Sequence, residues 1–224
     1  MKIEGKVINF LGDSITEGTG VTDVANNRYD NVICREYKLK ANNNYGIGGT
    51  RLAHQGKPSE KPRYDLCFCG RAYNLDPSAD ITVVYGGVND YIHGDAPIGS
   101  PEDTTPATFW GGVNFIMNLL KENFKDKPVV FLTPARMCLH GVSDETVSAR
   151  PMKRSDAMPL VNYVEIIKEA GKAHGIPVLD MYHTLPINPN LPEHSEKYTV
   201  DGLHFNDAGH QIIAKHVAEF LMSL

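Results

Sequence analysis

Residues 7–14 read VINFLGDS, a short apolar run with the length of a buried strand that ends in Gly-Asp-Ser. A second such run, ITVVY at residues 81–85, is rich in β-branched residues and is closed by two glycines. Three more strands are predicted, and the first of them is polar and is expected at a sheet edge: residues 40–45, 128–132 and 176–180.

Amphipathic or well-capped segments separate these strands and predict helices. The predicted helices cover residues 27–37, 106–124, 155–173 and from 207 onward. The third is expected to begin at the cap Ser155-Asp156 and the last at the cap Asn206-Asp207. Because strands alternate with helices, we predict a parallel sheet covered on both faces, a three-layer α/β/α sandwich.

The length of 224 residues favours one domain, spanning residues 1–224. Two connections, residues 52–79 and 140–154, are long, and each is expected to carry a short helix or part of the binding site.

Composition excludes several classes of protein. The net charge of -5 offers no basic stripe, so nucleic acid is not an expected partner. Apolar runs extend over only a few residues, which argues against a membrane span. The beginning, MKIEG, lacks the apolar stretch of a secretion signal, so a cytoplasmic protein is expected. The four cysteines form no C-x-x-C pair and are expected to be reduced; a zinc site built on Cys67, Cys69 and a histidine is the alternative.

Ser14 lies where the first predicted strand ends, at the edge where open α/β sheets bind ligands. A serine nucleophile needs a base and a carboxylate that orients the base. Asp201 and His204 supply both types at a spacing that lets the carboxylate meet Nδ1–H and leaves Nε2 for the serine. Two alternatives stay open: Ser14 as part of an ordinary helix cap with Glu17, and a metal site that joins Asp201, His204 and His210.

Two further strand ends carry residues suited to a developing oxyanion. Gly48-Gly49-Thr50 allows close approach of backbone N–H groups, and Asn89, within GVND at residues 87–90, offers a side-chain amide. Each could also be a plain turn.

Taken in order, these blocks resemble those of the SGNH hydrolase superfamily, also called GDSL esterases and lipases. The resemblance runs from the first strand to the last helix, with Ile15 in place of the leucine of the usual motif. It implies a flavodoxin-like fold with a five-stranded parallel sheet. It also implies a triad of Ser14, His204 and Asp201, an oxyanion hole made by Ser14, Gly49 and Asn89, and no metal or organic cofactor.

The expected function is a serine esterase that acts on a small-molecule acyl ester. Aromatic and hydrogen-bonding residues beyond the strand ends suit a sugar ester, and no long apolar lid indicates an interfacial lipase; we therefore expect short-chain esters such as O-acetylated carbohydrates. The candidate substrate-binding residues are Asp13, Tyr91, His93, Asp95, Trp110, Arg136 and Met137.

Three alternatives to this function remain. An acyl-thioesterase and a lysophospholipase-type lipase would use the same residues. A non-catalytic, flavodoxin-like binding protein would cradle a phosphate in the loop of residues 14–20, but it assigns no role to Asp201 and His204.

Overall fold

The computed structural model describes residues 1–147 and 155–224. Its centre is a five-stranded parallel sheet with the strand order β2-β1-β3-β4-β7, and a two-stranded antiparallel hairpin, β5-β6, lies apart from it. The strands are β1 (Val7–Gly12), β2 (Ala41–Gly46), β3 (Ile81–Tyr85), β4 (Val129–Leu132), β5 (Cys138–Leu139), β6 (Val142–Ser143) and β7 (Val178–Leu179).

Helices connect and cover these strands. They are α1 (Ser14–Glu17), α2 (Val24–Asn27), α3 (Tyr29–Glu36), α4 (Phe68–Arg71), α5 (Val88–His93), α6 (Phe109–Asn123), α7 (Leu160–His174), α8 (Met181–Thr184), α9 (Pro192–Tyr198) and α10 (Asp207–Ser223), with short 3-10 turns at Pro62–Asp65 and Ala72–Asn74.

Two apolar cores lie on opposite faces of the sheet. Helices α6 and α7 pack together on one face, over strand residues such as Val84 and Phe131. Helices α3 and α10 pack on the other face, over residues such as Phe10 and Val83. Alternate side chains of a strand point to opposite faces of the sheet, so each buried strand contributes side chains to both cores. The predicted three-layer α/β/α sandwich with a five-stranded parallel sheet is confirmed.

The three asparagines of the edge strand β2 make hydrogen bonds with their side chains. Asn42 and Asn44 both donate to the buried carboxylate of Asp30, at 2.8 and 3.0 Å. Asn43 donates to Asn9 on β1 at 3.1 Å. An edge strand tolerates such a sequence since only one of its sides pairs within the sheet.

Two helix boundaries differ from the prediction. The helix predicted over residues 27–37 corresponds to α3 and begins at Tyr29, because Arg28 adopts an extended conformation; Asn27 instead ends the short helix α2. The helix predicted from Ser155 begins at Leu160, behind Pro159. Asp156 does not cap it; its carboxylate accepts the backbone N–H of Ile98, so a long-range contact takes the place of the local cap.

The long connection at residues 52–79 contains α4 and both 3-10 turns, as predicted. Of the connection at 140–154, residues 140–147 include β6, and the rest lies outside the described residues. Within residues 1–147 and 155–224, no helix is both long and apolar enough to cross a membrane. The single-domain organisation stays a prediction.

Candidate active site

Ser14, His204 and Asp201 form a hydrogen-bonded line at the carboxyl edge of the sheet. Nδ1 of His204 lies 2.7 Å from Oδ2 of Asp201, and Nε2 lies 3.0 Å from Oγ of Ser14. A carboxylate can only accept, so in the neutral imidazole Nδ1 carries the proton and Nε2 is the acceptor for the serine hydroxyl. The structure thus brings Ser14 to a histidine that lies 190 positions later in the chain and to the neighbouring Asp201.

The turn that carries Asp201 and His204 is rigidly held. Oδ1 of Asp201 accepts the backbone N–H groups of Leu203 and His204, at 3.0 and 2.8 Å. The backbone N–H of His140, in the β5-β6 hairpin, donates to the Asp201 carbonyl at 3.1 Å. His140 and Gly141 both have positive φ, as a tight two-residue hairpin turn requires. The hairpin therefore braces the turn and presents His140 beside it.

The Asp201 carboxylate is ionised at neutral pH. Partial burial raises its pKa, but this effect is outweighed by the hydrogen bonds that it accepts from the His204 side chain and from the backbone of His204 and Leu203, and by the charge of His204. The net result is a pKa of about 2, below the ordinary value. An ionised carboxylate at this position orients the imidazole and stabilises an imidazolium.

Helix α1 presents Ser14 through the cap residue before it. The buried carboxylate of Asp13 accepts the N–H of Ile15 at 3.0 Å, as an N-cap does. Burial raises the pKa of Asp13 to about 6, and the Ile15 N–H and the charges of His204 and Arg71 only partly oppose this rise. The cap and the candidate nucleophile are thus neighbouring residues.

Asp13→Asn is expected to stabilise the protein at about pH 8 and to leave it nearly unchanged at about pH 3. Asparagine keeps the oxygen that accepts the Ile15 N–H but cannot ionise. Because the folded-state pKa is raised, the carboxylate lowers stability as the pH rises through about 6, and a shift from 3.8 corresponds to about 3 kcal/mol in the free energy of unfolding. Below the unfolded pKa, Asp13 is protonated in both states and the difference vanishes. Urea unfolding at both pH values measures the effect, and an equal gain at both would contradict it.

The loop after β2 carries Gly49 to the candidate site. Gly49 has φ +79, and a Cβ there would lie 2.2 Å from the Tyr64 ring, so only glycine fits. The N–H of the preceding Gly48 donates to Glu17 at 2.8 Å, which ties the loop to α1. Among the described residues, no acceptor takes the Gly49 N–H, which leaves it for a ligand.

Asn89 joins this loop to the end of β3. Its Nδ2 donates to the Thr50 carbonyl at 3.0 Å, and its side chain is almost fully buried. The carboxylate of Asp90 accepts the N–H groups of Leu52 and Ala53, at 2.8 and 3.0 Å. The strand ends that carry Gly49 and Asn89 are therefore held in one rigid unit.

A cavity of about 290 Å³ opens over these groups. Its wall includes all five residues predicted for the triad and the oxyanion hole: Ser14, Gly49, Asn89, Asp201 and His204. Several other lining residues are not predicted from the sequence; they come from α1, from the connection at 52–79 and from the β5-β6 hairpin: Glu17, Lys61, Arg63, Tyr64, Leu139 and His140.

Of the seven candidate substrate-binding residues, His93 lines this cavity and the other six do not. The Tyr91 hydroxyl contacts Thr146 at 3.2 Å. Trp110 and Met137 are buried in the apolar core. Their large apolar surfaces favour the core over the cavity wall.

The remaining three have local structural contacts. Asp13 caps α1, as described above. The guanidinium of Arg136 lies 4.4 Å from the centre of the Tyr182 ring. The Asp95 carboxylate accepts the backbone N–H groups of Gly56 and Lys57, at 2.9 and 3.0 Å, which orders that loop.

Arg71 supports the loops of the candidate site through hydrogen bonds, and no pattern in the sequence predicts this role. Its guanidinium donates to the carbonyl groups of Tyr45 and Gly12 and to Oγ1 of Thr50. Burial lowers its pKa to about 10, so it remains charged at neutral pH. One cation thus joins the ends of β1 and β2 to the Gly49 loop.

The residues named in the two metal alternatives also have other partners in the structure. Nδ1 of His210 accepts the Tyr29 N–H at 3.2 Å, away from Asp201 and His204. The Cys69 thiol donates to the Leu52 carbonyl at 3.1 Å. In the part of the chain that the structure describes, three potential ligand groups converge at one place, which involves neither set: Glu165, Asp180 and His183.

This parallel sandwich has the SGNH hydrolase fold, and serine, histidine and aspartate side chains meet at the carboxyl edge of its sheet. The chain belongs to the GDSL-like Lipase/Acylhydrolase family, whose model matches residues 10–212. No curated protein matches the chain in sequence.

Solved structures share the fold over the whole chain. A protein from Lactobacillus plantarum is 28% identical with a TM-score of 0.81, covering 99% of this chain and 98% of that one. A protein from Chitinophaga pinensis described as a possible lipase is 21% identical with a TM-score of 0.65, covering 97% and 98%. The aryl esterase of M. smegmatis is 15% identical with a TM-score of 0.67, covering 98% and 99%. At such low identities, the last two likenesses concern the fold.

Proposed function

We propose that this chain is a serine esterase in which Ser14 is the nucleophile, His204 the general base and Asp201 the residue that orients the base. The observation that carries the proposal is the hydrogen-bonded line of these side chains, with distances of 2.7 Å and 3.0 Å on the two sides of the imidazole. Because the Asp201 carboxylate holds a proton on Nδ1, Nε2 is free to take the hydroxyl proton of Ser14.

The proposed reaction has two steps. Oγ of Ser14 attacks the acyl carbon as Nε2 of His204 takes its proton; the ester C–O bond then breaks, and the leaving alcohol takes the proton back. Water then attacks the acyl carbon as the same nitrogen takes its proton; the bond between the acyl carbon and Oγ breaks, and Oγ takes the proton from Nε2, which releases the acid and regenerates Ser14. In both steps we assign the oxyanion to three donors: the N–H groups of Ser14 and Gly49 and the Nδ2 group of Asn89. These steps need no cofactor.

The cavity supports a small, polar ester as substrate. Its volume of about 290 Å³ suits a short acyl group and a small alcohol. Most of the lining residues have charged or hydrogen-bonding side chains, and the larger apolar ones are Ile92, Leu139 and Leu203. A long acyl chain would require a more apolar wall, whereas hydroxyl groups would find partners here. We therefore propose short-chain esters, with O-acetylated carbohydrates as the preferred class.

A panel of esters tests the proposal. Acetyl and octanoyl p-nitrophenyl esters, acetylated sugars and an acetyl thioester are compared by kcat/KM on one preparation, with Ser14→Ala as the control for every substrate. We expect the acetyl esters to be favoured over the octanoyl ester and acetate to be released from the sugars. A preference for the octanoyl ester or the thioester would overturn the substrate class, and hydrolysis by Ser14→Ala would overturn the serine mechanism.

Asn89→Ala is expected to lower kcat by about 10²–10³ and to change KM little, because its amide meets a charge that exists only in the transition state. Steady-state kinetics on the acetyl ester measures both constants. A rise in KM with unchanged kcat would instead make Asn89 a ground-state binding residue.

A further inference from the structure

A chain of directional hydrogen bonds runs from Asp65 through Arg51 and His93 to Asn89. Nη2 of the buried Arg51 donates to the Asp65 carboxylate at 2.9 Å. Nη1 of Arg51 lies 3.2 Å from Nδ1 of His93. Nε2 of His93 lies 3.1 Å from Oδ1 of Asn89.

Elementary chemistry gives each bond one direction. A guanidinium has donors only, so Nδ1 of His93 must accept. In the neutral imidazole the proton then resides on Nε2, which donates to Oδ1 of Asn89. The Asn89 amide therefore has its oxygen toward His93 and its nitrogen toward the Thr50 carbonyl and the cavity.

We infer that His93 is a positioning residue, which with Arg51 sets the Asn89 amide so that it presents N–H rather than oxygen to the reacting ester. The inference rests on the proposed function, in which Asn89 is an oxyanion donor. A rotated amide would aim its carbonyl oxygen at the developing negative charge. A donor at Oδ1 also polarises the amide and strengthens the hydrogen bond that its N–H makes.

Arg51 is well placed for this role. Nη2 also lies 2.9 Å from Oγ of Ser59 and from the carbonyl oxygen of Tyr64 and shares its two protons among these acceptors and Asp65, so the guanidinium is held from the side opposite His93. Because its side chain is about 2% exposed, little freedom remains for it to turn. The Tyr64 ring also lies against the His93 ring, with centres 5.6 Å apart.

The test uses His93→Leu, His93→Gln, Asn89→Ala and the double variant Asn89→Ala/His93→Leu, assayed on the acetyl ester. We expect His93→Leu to lower kcat roughly 10-fold to 50-fold, less than the ~10²–10³ for loss of the donor itself, with KM within about twofold. Glutamine retains an N–H donor and should restore most of kcat. In the Asn89→Ala background, loss of His93 should have almost no further effect, because it acts through Asn89.

The chain offers a matched control in His174→Leu. Nε2 of His174, the last residue of α7, lies 2.9 Å from Oδ1 of Asn114. The bond joins the same two atom types as the bond between His93 and Asn89. Loss of this bond should lower thermal stability without changing kcat. A similar kcat loss in His174→Leu would show that the effect of His93→Leu is general destabilisation, which would overturn the inference.

Other outcomes also decide the matter. Unchanged kcat in His93→Leu, a rise in KM alone, or additive losses in the double variant would overturn the role of His93 while Ser14→Ala stays inactive. Activity in Ser14→Ala would instead refute the proposed function. Should His93→Leu fail to fold, long-range ¹H–¹⁵N NMR of the wild type still decides: the Nε2–H tautomer of His93, assigned with His93→Gln, is expected, and the Nδ1–H tautomer overturns the inference.

Discussion

Ser14→Ala is expected to lower kcat by a factor on the order of 10⁶, because the variant has no hydroxyl to attack the ester. The fold should persist, since Asp13 rather than Ser14 supplies the side-chain cap of α1. The small remaining rate would come from the oxyanion donors and from substrate binding. Steady-state assays with the acetyl ester measure this loss, and circular dichroism compares the two folds.

Covalent labelling checks the same assignment independently. An organophosphonate probe should add one group to the wild type, located on Ser14 by mass spectrometry of peptides. Ser223→Ala is the control, since this serine lies at the end of α10 and donates to the Phe220 carbonyl; it should be labelled at the wild-type rate and remain active. Labelling of another serine, or full activity in Ser14→Ala, is incompatible with the proposed nucleophile.

Asp201→Asn is expected to lower kcat by about 10⁴. The amide can donate its N–H to Nδ1 of His204, which favours the tautomer with the proton on Nε2 and removes the acceptor for the Ser14 hydroxyl. The carboxylate, whose pKa lies at about 2, also stabilises the imidazolium that forms during the reaction, and an amide does not. kcat for the acetyl ester and the rate of phosphonate labelling should fall together, since both depend on the same proton transfer.

The matched control is Asp207→Asn, in the first turn of α10, where the carboxylate accepts the backbone N–H of Thr22 at 2.9 Å. The kcat of this variant should stay within about twofold of the wild type, because Asp207 does not orient His204 in the proposed mechanism. A loss of less than tenfold in Asp201→Asn would show that another group orients His204.

The layered fold could be predicted because burial leaves a local pattern. The strands β1 and β3 are buried on both faces, and their runs of β-branched and apolar residues show this directly. Strand β2 was predictable as an edge strand, although the partners of its asparagines were not. The start of α7 was mispredicted because Asp156 has cap chemistry but bonds to Ile98, a residue 58 positions away in the chain.

The candidate site divides in the same manner. The proposed nucleophile and oxyanion residues follow parallel strands whose carboxyl ends meet at one edge. Asp201 and His204 are three residues apart, so the local sequence already limits where they can lie. The short Asp-x-x-His spacing also allows one turn to satisfy the carboxylate and orient the imidazole. These features depend on the order of the strands and on the spacing of residues along the chain, and both can be predicted from the sequence.

The cavity wall and its support depend instead on contacts between distant residues. Tyr91 and Trp110 had suitable chemistry but turn to the core, whereas Lys61 and Tyr64 reach the cavity from a connection without periodicity. The direction of a loop side chain follows from long-range bonds, such as those of Arg51 to His93, and from the close packing of the core. Composition and spacing encode which residues are buried and which elements form; only the assembled chain sets which loop atoms converge, because that depends on many weak contacts satisfied together.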